Sequence, residues 1–459
     1  MLERVQAGNL TEVVAVGREW LSGRKTSRFS RLEIDLPVGL GCEIPLFPKV
    51  SWRSRGGGLT VNAWGAALQL DLKDWVGEST VFEELGVFPG SDLANSLRWF
   101  IWGRFDSLFE TPAAGADTDG KSIDEANRWH DFGTRRLLLP AVELRRENGR
   151  EFLGLNSVLE GVPKLQKAWE GVSLPVATGW QEGGEGPSVS REDWARQMSQ
   201  VQSAMSERSS LKKVVLARWS RFGVPEFPPV EFLRTVGELQ PNSYLFRIEP
   251  VPGSAFFGAS PEQLFHRQER KILSEALAGT RPRGHSVAGD QSLGQELLRS
   301  KKDLEEQRLV LNQIVEKLGP LVGDLEVDTE PRIRRLREVQ HLCSTVGGEL
   351  VPRLHDGHLL AALHPTPAVA GYPGTKAMKV ISEVEEFDRG LYAGPFGCCS
   401  ARETEVAVAI RSALWQDGVL DVFAGAGILP ESSADSEWDE TEAKMQLMRQ
   451  LITGAHNEV

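Results

Sequence analysis

The chain has 459 residues, with 52 Lys+Arg against 64 Asp+Glu and a formal charge of −12. It is 41% hydrophobic and 25% charged, with 46 Gly, 25 Pro and four Cys, which excludes wholesale disorder, collagen-like repeats and a disulfide-dense secreted scaffold. An acidic balance disfavours bulk phosphate-backbone binding, so no nucleic-acid partner is expected, although net charge leaves room for a local basic site.

Cys42, Cys343, Cys398 and Cys399 form no CxxC pair, which fits a reducing cytoplasm. The N-terminal stretch MLERVQAGNLTEVVAVGREW lacks the basic and unbroken apolar regions of a secretory signal. The longest apolar runs, such as VLDVFAGAGIL, fall short of the ~18 residues a membrane helix needs, so a cytoplasmic protein without a membrane partner is expected. All 13 Trp except Trp415 and Trp438 precede residue 220, which suggests two halves built differently.

In chain order, the first strand-like runs are Leu32–Leu36, Gly58–Leu70 and Arg136–Leu144, separated by loops of which 111–124 is the clearest. The stretch 178–188, TGWQEGGEGPS, reads as a linker because Gly, Glu and Pro cannot build a core. A helix follows, with Ser190 as N-cap, Asp193 three residues on, and Trp194, Met198, Val201 and Met205 at helical spacing. Strands are then expected at Lys213–Phe222, Tyr244–Glu249, Glu262–His266 and Lys271–Gly279. One long helix is expected from Ser292 to Leu318, where Leu297, Leu304, Leu311 and Leu318 recur every seven residues. Strand patterns return at Glu405–Leu414 and Val419–Phe423, and a helix closes the chain from about Ser436 to Ile452. Many strands and few strict βαβ units make the class α+β.

Several residues carry possible chemistry. Ala424-Gly425-Ala426-Gly427 hints at a dinucleotide loop, but G-x-G-x-x-G is incomplete and no Walker lysine occurs. A tight glycine turn that lets the backbone approach an anionic ligand is the better reading. Glu437, Glu440 and Lys444 stand at i, i+3 and i+7, on one helical stripe that could hold a hard divalent ion and an anion. Taken alone, such a stripe is first of all a solvated helix face, and the same holds for Glu306 beside Leu309 and Val310. Lys213 opens an apolar strand; a lysine there either snorkels to water or serves as a desolvated base. His355 and His358 read as surface loop residues, and His364 lies in a Pro-punctuated turn.

Taken together and in order, eight segments are more specific: KVVLAR (213–218), FGASPEQLF (257–265), SEALAGTRPRG (274–284), KKDLEEQRLV (301–310), VQHLCSTVGGEL (339–350), HPTPAVAGYP (364–373), AIRSA (409–413) and AGAGILPESSADSEWDETEAK (424–444). This series resembles the chorismate-utilising enzymes: isochorismate, salicylate and aminodeoxychorismate synthases and anthranilate synthase component I. The resemblance implies one α+β unit of two similar subdomains with packed central sheets, helices outside and chorismate between them. Residues 1–190 would be its variable, Trp-rich front part and 191–459 the part carrying the site; the 178–188 linker then becomes an internal loop.

By the same resemblance, Glu306 and Glu440 bind Mg²⁺, with Glu437 assisting. Arg411 and backbone groups near Gly425 hold the enolpyruvyl carboxylate, Lys444 also lies at the site, Gly279 lets the backbone approach the carboxylate that faces the Mg²⁺, and His341 lies near the ring. Lys213 matches the residue that activates water at C2, and Glu262 the acid that protonates the departing C4 hydroxyl. Leu277 and Ala368 form the small apolar combination of isochorismate synthases, where a Thr matching Ala368 marks the salicylate and anthranilate types. The expectation is an Mg²⁺-dependent isochorismate synthase of the menaquinone type. A salicylate synthase and a catalytically silent chorismate-binding protein remain as alternatives, a nucleotide-binding oxidoreductase rests only on AGAG, and the oligomeric state, monomer or weak dimer, stays open.

Overall fold

A computed structural model describes residues 2–23, 29–38, 44–76, 91–106, 128–158, 162–171, 185–205, 209–336 and 339–453. Cys42, the loop expected at 111–124 and the 178–184 part of the expected linker lie outside the described residues.

Hydrogen-bonded pairing joins the described strands into one continuous system of 21. All pairs are antiparallel except Leu2–Gln6 with Phe29–Leu36. Two arms diverge from the strand Arg135–Glu147. One runs through Leu59–Asp71, Lys49–Arg53, Tyr244–Glu249, Ser254–Ser260, Ser412–Gln416 and Val419–Ile428 to Lys213–Gly223. The other runs through Trp99–Gly103, Pro395–Cys399, Glu403–Val408, Gln263–Gln268 and Lys271–Pro282 to Val339–Leu350. Strands from before residue 190 pair directly with strands after it in both arms, so this α+β fold is a single domain.

The period-2 alternation of strands explains the packing. Phe246, Phe256, Leu216 and Leu414 of the first arm and Phe265, Ala276, Phe396 and Val406 of the second share one core. Residues on the opposite face of the first arm, Phe257, Ala413 and Leu420, form a second core with Phe232 of helix Pro229–Leu239 and Met445 and Met448 of helix Ala434–Ile452. Trp52, Trp99, Trp102 and Trp129 belong to the first core: Trp52 stacks on Phe396 at 6.2 Å and Trp102 on the same ring at 6.1 Å, tying front-half strands to back-half ones.

Five expectations differ from the observed structure. The helix expected over Ser292–Leu318 is two, Val287–Arg299 and Lys301–Leu318, because Ser300 leaves helical geometry and its side chain caps the Asp303 N–H of the second. The strand expected over Glu405–Leu414 is two, Glu403–Val408 and Ser412–Gln416, broken where Arg411 takes a left-handed φ of 52°. The AGAG turn is no turn, since Ala424–Gly427 continue strand Val419–Ile428 and pair with Val215–Arg218. Part of the linker, Glu185–Pro187, is likewise a short strand beside Ser220–Phe222. His355 caps helix Asp356–Leu363 and His358 lies within it, rather than in a loop.

The front half also buries charge. Arg31, fully buried, donates to Asn156 Oδ1 and Glu143 Oε1 at 2.7 Å and to Glu33 Oε1 at 2.9 Å. Removing one partner of such a network leaves buried charge uncompensated. Arg31→Met is expected to lower stability by about 3–5 kcal/mol, read as a fall in the urea midpoint at unchanged slope; an unchanged midpoint contradicts it.

Candidate active site

The far ends of the two arms border one cavity. Strands 213–223 and 419–428 supply Lys213, Val215 and Phe423 to Gly425; strands 271–282 and 339–350 supply Leu277 to Thr280 and His341. Glu306 comes from helix 301–318, and Glu440 and Lys444 from helix 434–452. Eleven of the twelve residues singled out in the sequence therefore line one cavity: Lys213, Glu262, Leu277, Gly279, Glu306, His341, Ala368, Arg411, Gly425, Glu440 and Lys444. Glu437 does not line it; it is buried one helical turn from Glu440, with Lys302 Nζ 3.3 Å from its Oε1.

Local geometry explains how each side chain gets there. Lys213 is 1% exposed, and its Nζ lies 2.8 Å from Glu306 Oε1. That contact requires a glycine beneath it: a Cβ on Gly427 would stand 2.7 Å from the Glu306 oxygen and 2.9 Å from Lys213 Cε. Gly279 sits in a β-bulge at φ 73°, where the register between strands 271–282 and 339–350 shifts, and its carbonyl turns toward His341. Arg411 is placed by the left-handed break between strands 403–408 and 412–416. For a non-glycine residue this conformation costs roughly 1–3 kcal/mol, so surrounding structure must hold it. The Arg411 carbonyl does so by accepting from the Ala259 N–H at 3.0 Å.

Lys444 Nζ donates to Gly425 O at 2.8 Å and lies 2.7 Å from Glu440 Oε1. Burial opposes the ionisation of Glu440, but the nearby Lys444 outweighs it and holds the carboxyl below the ordinary range. Glu437 moves the other way, raised first by burial and then by its neighbour Glu440. Glu262 is 4% exposed, and burial raises its carboxyl to about 7 despite a hydrogen bond from Thr366 Oγ1 at 3.3 Å. His341 Nδ1 stands 3.2 Å from both Gly279 O and Thr280 Oγ1. A carbonyl only accepts, so Nδ1 carries the ring proton and Nε2 is the acceptor.

Among the described residues, no group of three His, Cys, Asp or Glu is already gathered as a metal cage. The donor set nevertheless fits a hard divalent ion. Glu306 and Glu440 face one cavity from two helices, and the Glu437–Glu440 repulsion is of the kind a cation relieves.

Sequence reasoning missed Tyr392, buried with its hydroxyl beside Gly425; Thr366, bonded to Glu262; and Gly427. Thr366 and Gly427 stood inside quoted segments, but their use shows only once the strands are paired. For Tyr392 the sequence offered no pattern.

A cavity set with paired cations and carboxylates at the junction of two sheet arms defines an enzyme site for a small, negatively charged molecule. The chain belongs to the chorismate-binding enzymes: the family model described as "Chorismate binding enzyme" matches residues 114–453, starting well before the first motif recognised in the sequence. Isochorismate synthase 2, chloroplastic, of Arabidopsis thaliana is 33% identical over 388 residues, covering 81% of this chain and 68% of the relative. Isochorismate synthase MenF of Escherichia coli (strain K12) is 30% identical over 402 residues, covering 80% and 92%. The structure of MenF, the menaquinone-specific isochorismate synthase from Escherichia coli, superposes with a TM-score of 0.82 at 25% identity, covering 96% of this chain and 99% of that one. Anthranilate synthase component I from Streptococcus pneumoniae shares the fold, with a TM-score of 0.64 at 19% identity over 94% and 93% of the chains. No helix among the described residues is long and apolar enough to cross a membrane.

Burial, then repulsion from Arg411 and Lys444, lowers His341 to about 3. Its ring is therefore neutral at every pH above that value. In a ¹⁵N titration its resonances are expected to stay flat between pH 5 and 8; an inflection in that window contradicts the assignment.

Proposed function

We propose that this chain interconverts chorismate and isochorismate, an isomerase reaction in which water adds at C2 and the C4 hydroxyl departs. The observation that carries the reading is the placement of Lys213 and Glu262 on the wall of one cavity, with burial holding Glu262 protonated close to neutral pH. In the forward direction Lys213, once its Nζ has released the proton it shares with Glu306 and stands as a neutral amine, accepts a proton from the attacking water, while Glu262 gives one to the leaving hydroxyl, which departs as water. The two protons balance, and exchange with solvent after product leaves returns Lys213 to its neutral form and Glu262 to its protonated form.

Arg411, Lys444 and the backbone at Gly425 hold substrate carboxylate, and Gly279, in its bulge, admits the chain close to it. His341 offers an acceptor near the ring. Leu277 and Ala368 present no hydroxyl that would place a second water or assist later loss of pyruvate.

Mg²⁺ is the ion this donor set suits, held by Glu306 and Glu440 with Glu437 assisting. When bound, it supplies positive charge opposite a substrate carboxylate. Glu306, now against Lys213, would serve both.

Residues 1–190 are the variable front part of the catalytic unit and 191–459 the part that carries the site. The match to a menaquinone-specific enzyme supports a place in menaquinone synthesis. The buried thiols Cys343 and Cys398 support a cytoplasmic location.

The test is to incubate the purified protein with chorismate and Mg²⁺ and separate the products. Isochorismate alone supports the proposal, salicylate with pyruvate converts it to a salicylate synthase, and no turnover refutes it. Lys213→Ala and Glu262→Gln are each expected to reduce turnover by about 10²–10⁴-fold; retained turnover refutes the corresponding role. Glu262 holds its proton below about 7 and loses it above, so the forward rate is expected to fall as pH rises through that value. A rate that keeps rising to pH 9 contradicts its role as the acid.

A further inference from the structure

Strand 213–223 carries Lys213, yet one of its edges is incompletely paired. On that edge Gly371–Tyr372 pair with Lys213 and Val214, and Ala370 O accepts from the Val215 N–H. Glu185–Pro187 resume the pairing only at Ser220–Phe222. Between these short strands, Val215 O and Ala217 N–H need other partners, since buried backbone groups are rarely left unbonded.

A side-chain pair fills the gap. Glu385, at the end of helix Gly374–Val384, accepts from the Ala217 N–H at 2.8 Å through Oε1. Arg389 binds Glu385 through Nε and Nη2, and Nη2 also donates to Val215 O at 2.8 Å. Its Nη1 donates to Val369 O at 2.9 Å, beside Ala368 on the adjoining stretch of cavity wall. The guanidinium lies 4.2 Å from the Phe105 ring centroid and 5.9 Å from that of Tyr392, which also lines the cavity. Both side chains are 3% exposed, and neither lines the cavity itself.

We propose that Glu385 and Arg389 are positioning residues: a buried ion pair standing in for a missing strand, which fixes Lys213 relative to the Ala368–Val369 wall. The assignment rests on the catalytic reading of Lys213 given above. A planar, forked guanidinium is needed, because four donated hydrogen bonds leave it in three directions; an ammonium group has a single nitrogen and cannot span them. Energetically a buried ion pair gains little over an apolar pair of the same volume, so stability alone does not call for one here.

The test compares Arg389→Lys with wild type in chorismate turnover and in amide hydrogen exchange of the ligand-free protein. Expected is a fall in kcat of about 10–100-fold with KM within about threefold, since displacement of the base alters reaction more than binding. Exchange at Ala217 should quicken. A folded Arg389→Lys protein with kcat within about twofold of wild type and unchanged exchange overturns the proposal. If that variant does not fold, the double variant E385M/R389M restores burial without the polar ties. It is expected to fold, with the same kcat loss and faster Ala217 exchange, and wild-type kcat in it overturns the proposal. Absence of turnover in wild type would sink the chorismate reading instead, and the exchange comparison would still decide whether the pair holds the strand.

Discussion

Ion pairing inside a space withdrawn from water is the constraint on which the rest of this structure depends. Lys213 with Glu306 and Lys444 with Glu440 stand at 2.8 and 2.7 Å in one cavity, with Arg411 and Glu262 on the same walls. Isolated buried charges cost several kcal/mol each, so each must meet its partner at a fixed distance. Lys213, Glu306, Glu440 and Lys444 stand on strands or helices, and Glu262 and Arg411 stand in short breaks between paired strands, so the sheet system fixes the position of each.

The two arms act as the two jaws of a bracket whose hinge region is the front half of the chain. Aromatic contacts there are structural in effect and catalytic in consequence: Trp52 and Trp102 grip Phe396, and Trp129 packs edge-on against Phe256 at 5.5 Å. Phe105 reaches the positioning pair itself, through the face of its ring on Arg389. The concentration of Trp before residue 220 is thus the mark of a wide aromatic core that joins the arms. A net charge of −12 does not describe the cavity, where Lys213, Arg411 and Lys444 lie close together.

Much of this was legible beforehand. Strand Tyr244–Glu249 has the expected bounds, strand Lys213–Gly223 runs one residue past the expected Phe222, and Ser190 caps helix Arg191–Ala204 through the Asp193 N–H. Where local pattern misled, a single residue was responsible. Ser300 breaks a leucine periodicity that reads as unbroken, and Arg411 interrupts an apolar run by adopting a conformation that most side chains avoid. Gly425 and Gly427 looked like a turn because sequence cannot show that Tyr392 and Leu216 crowd the first and that Glu306 and Lys213 occupy the space a side chain on the second would fill.

By itself the sequence determined the α+β class, most elements and the set of residues with chemistry to offer, because periodicity, capping and ordered motifs are local properties. Only the tertiary structure decided that Lys213 meets Glu306, that Glu437 is buried against Lys302 instead of lining the cavity, and that Glu385 and Arg389 complete a strand edge. Those facts depend on which strand ends come together across a cavity. They join residues such as Ala217 and Glu385, 168 positions apart, whose contact no local pattern encodes.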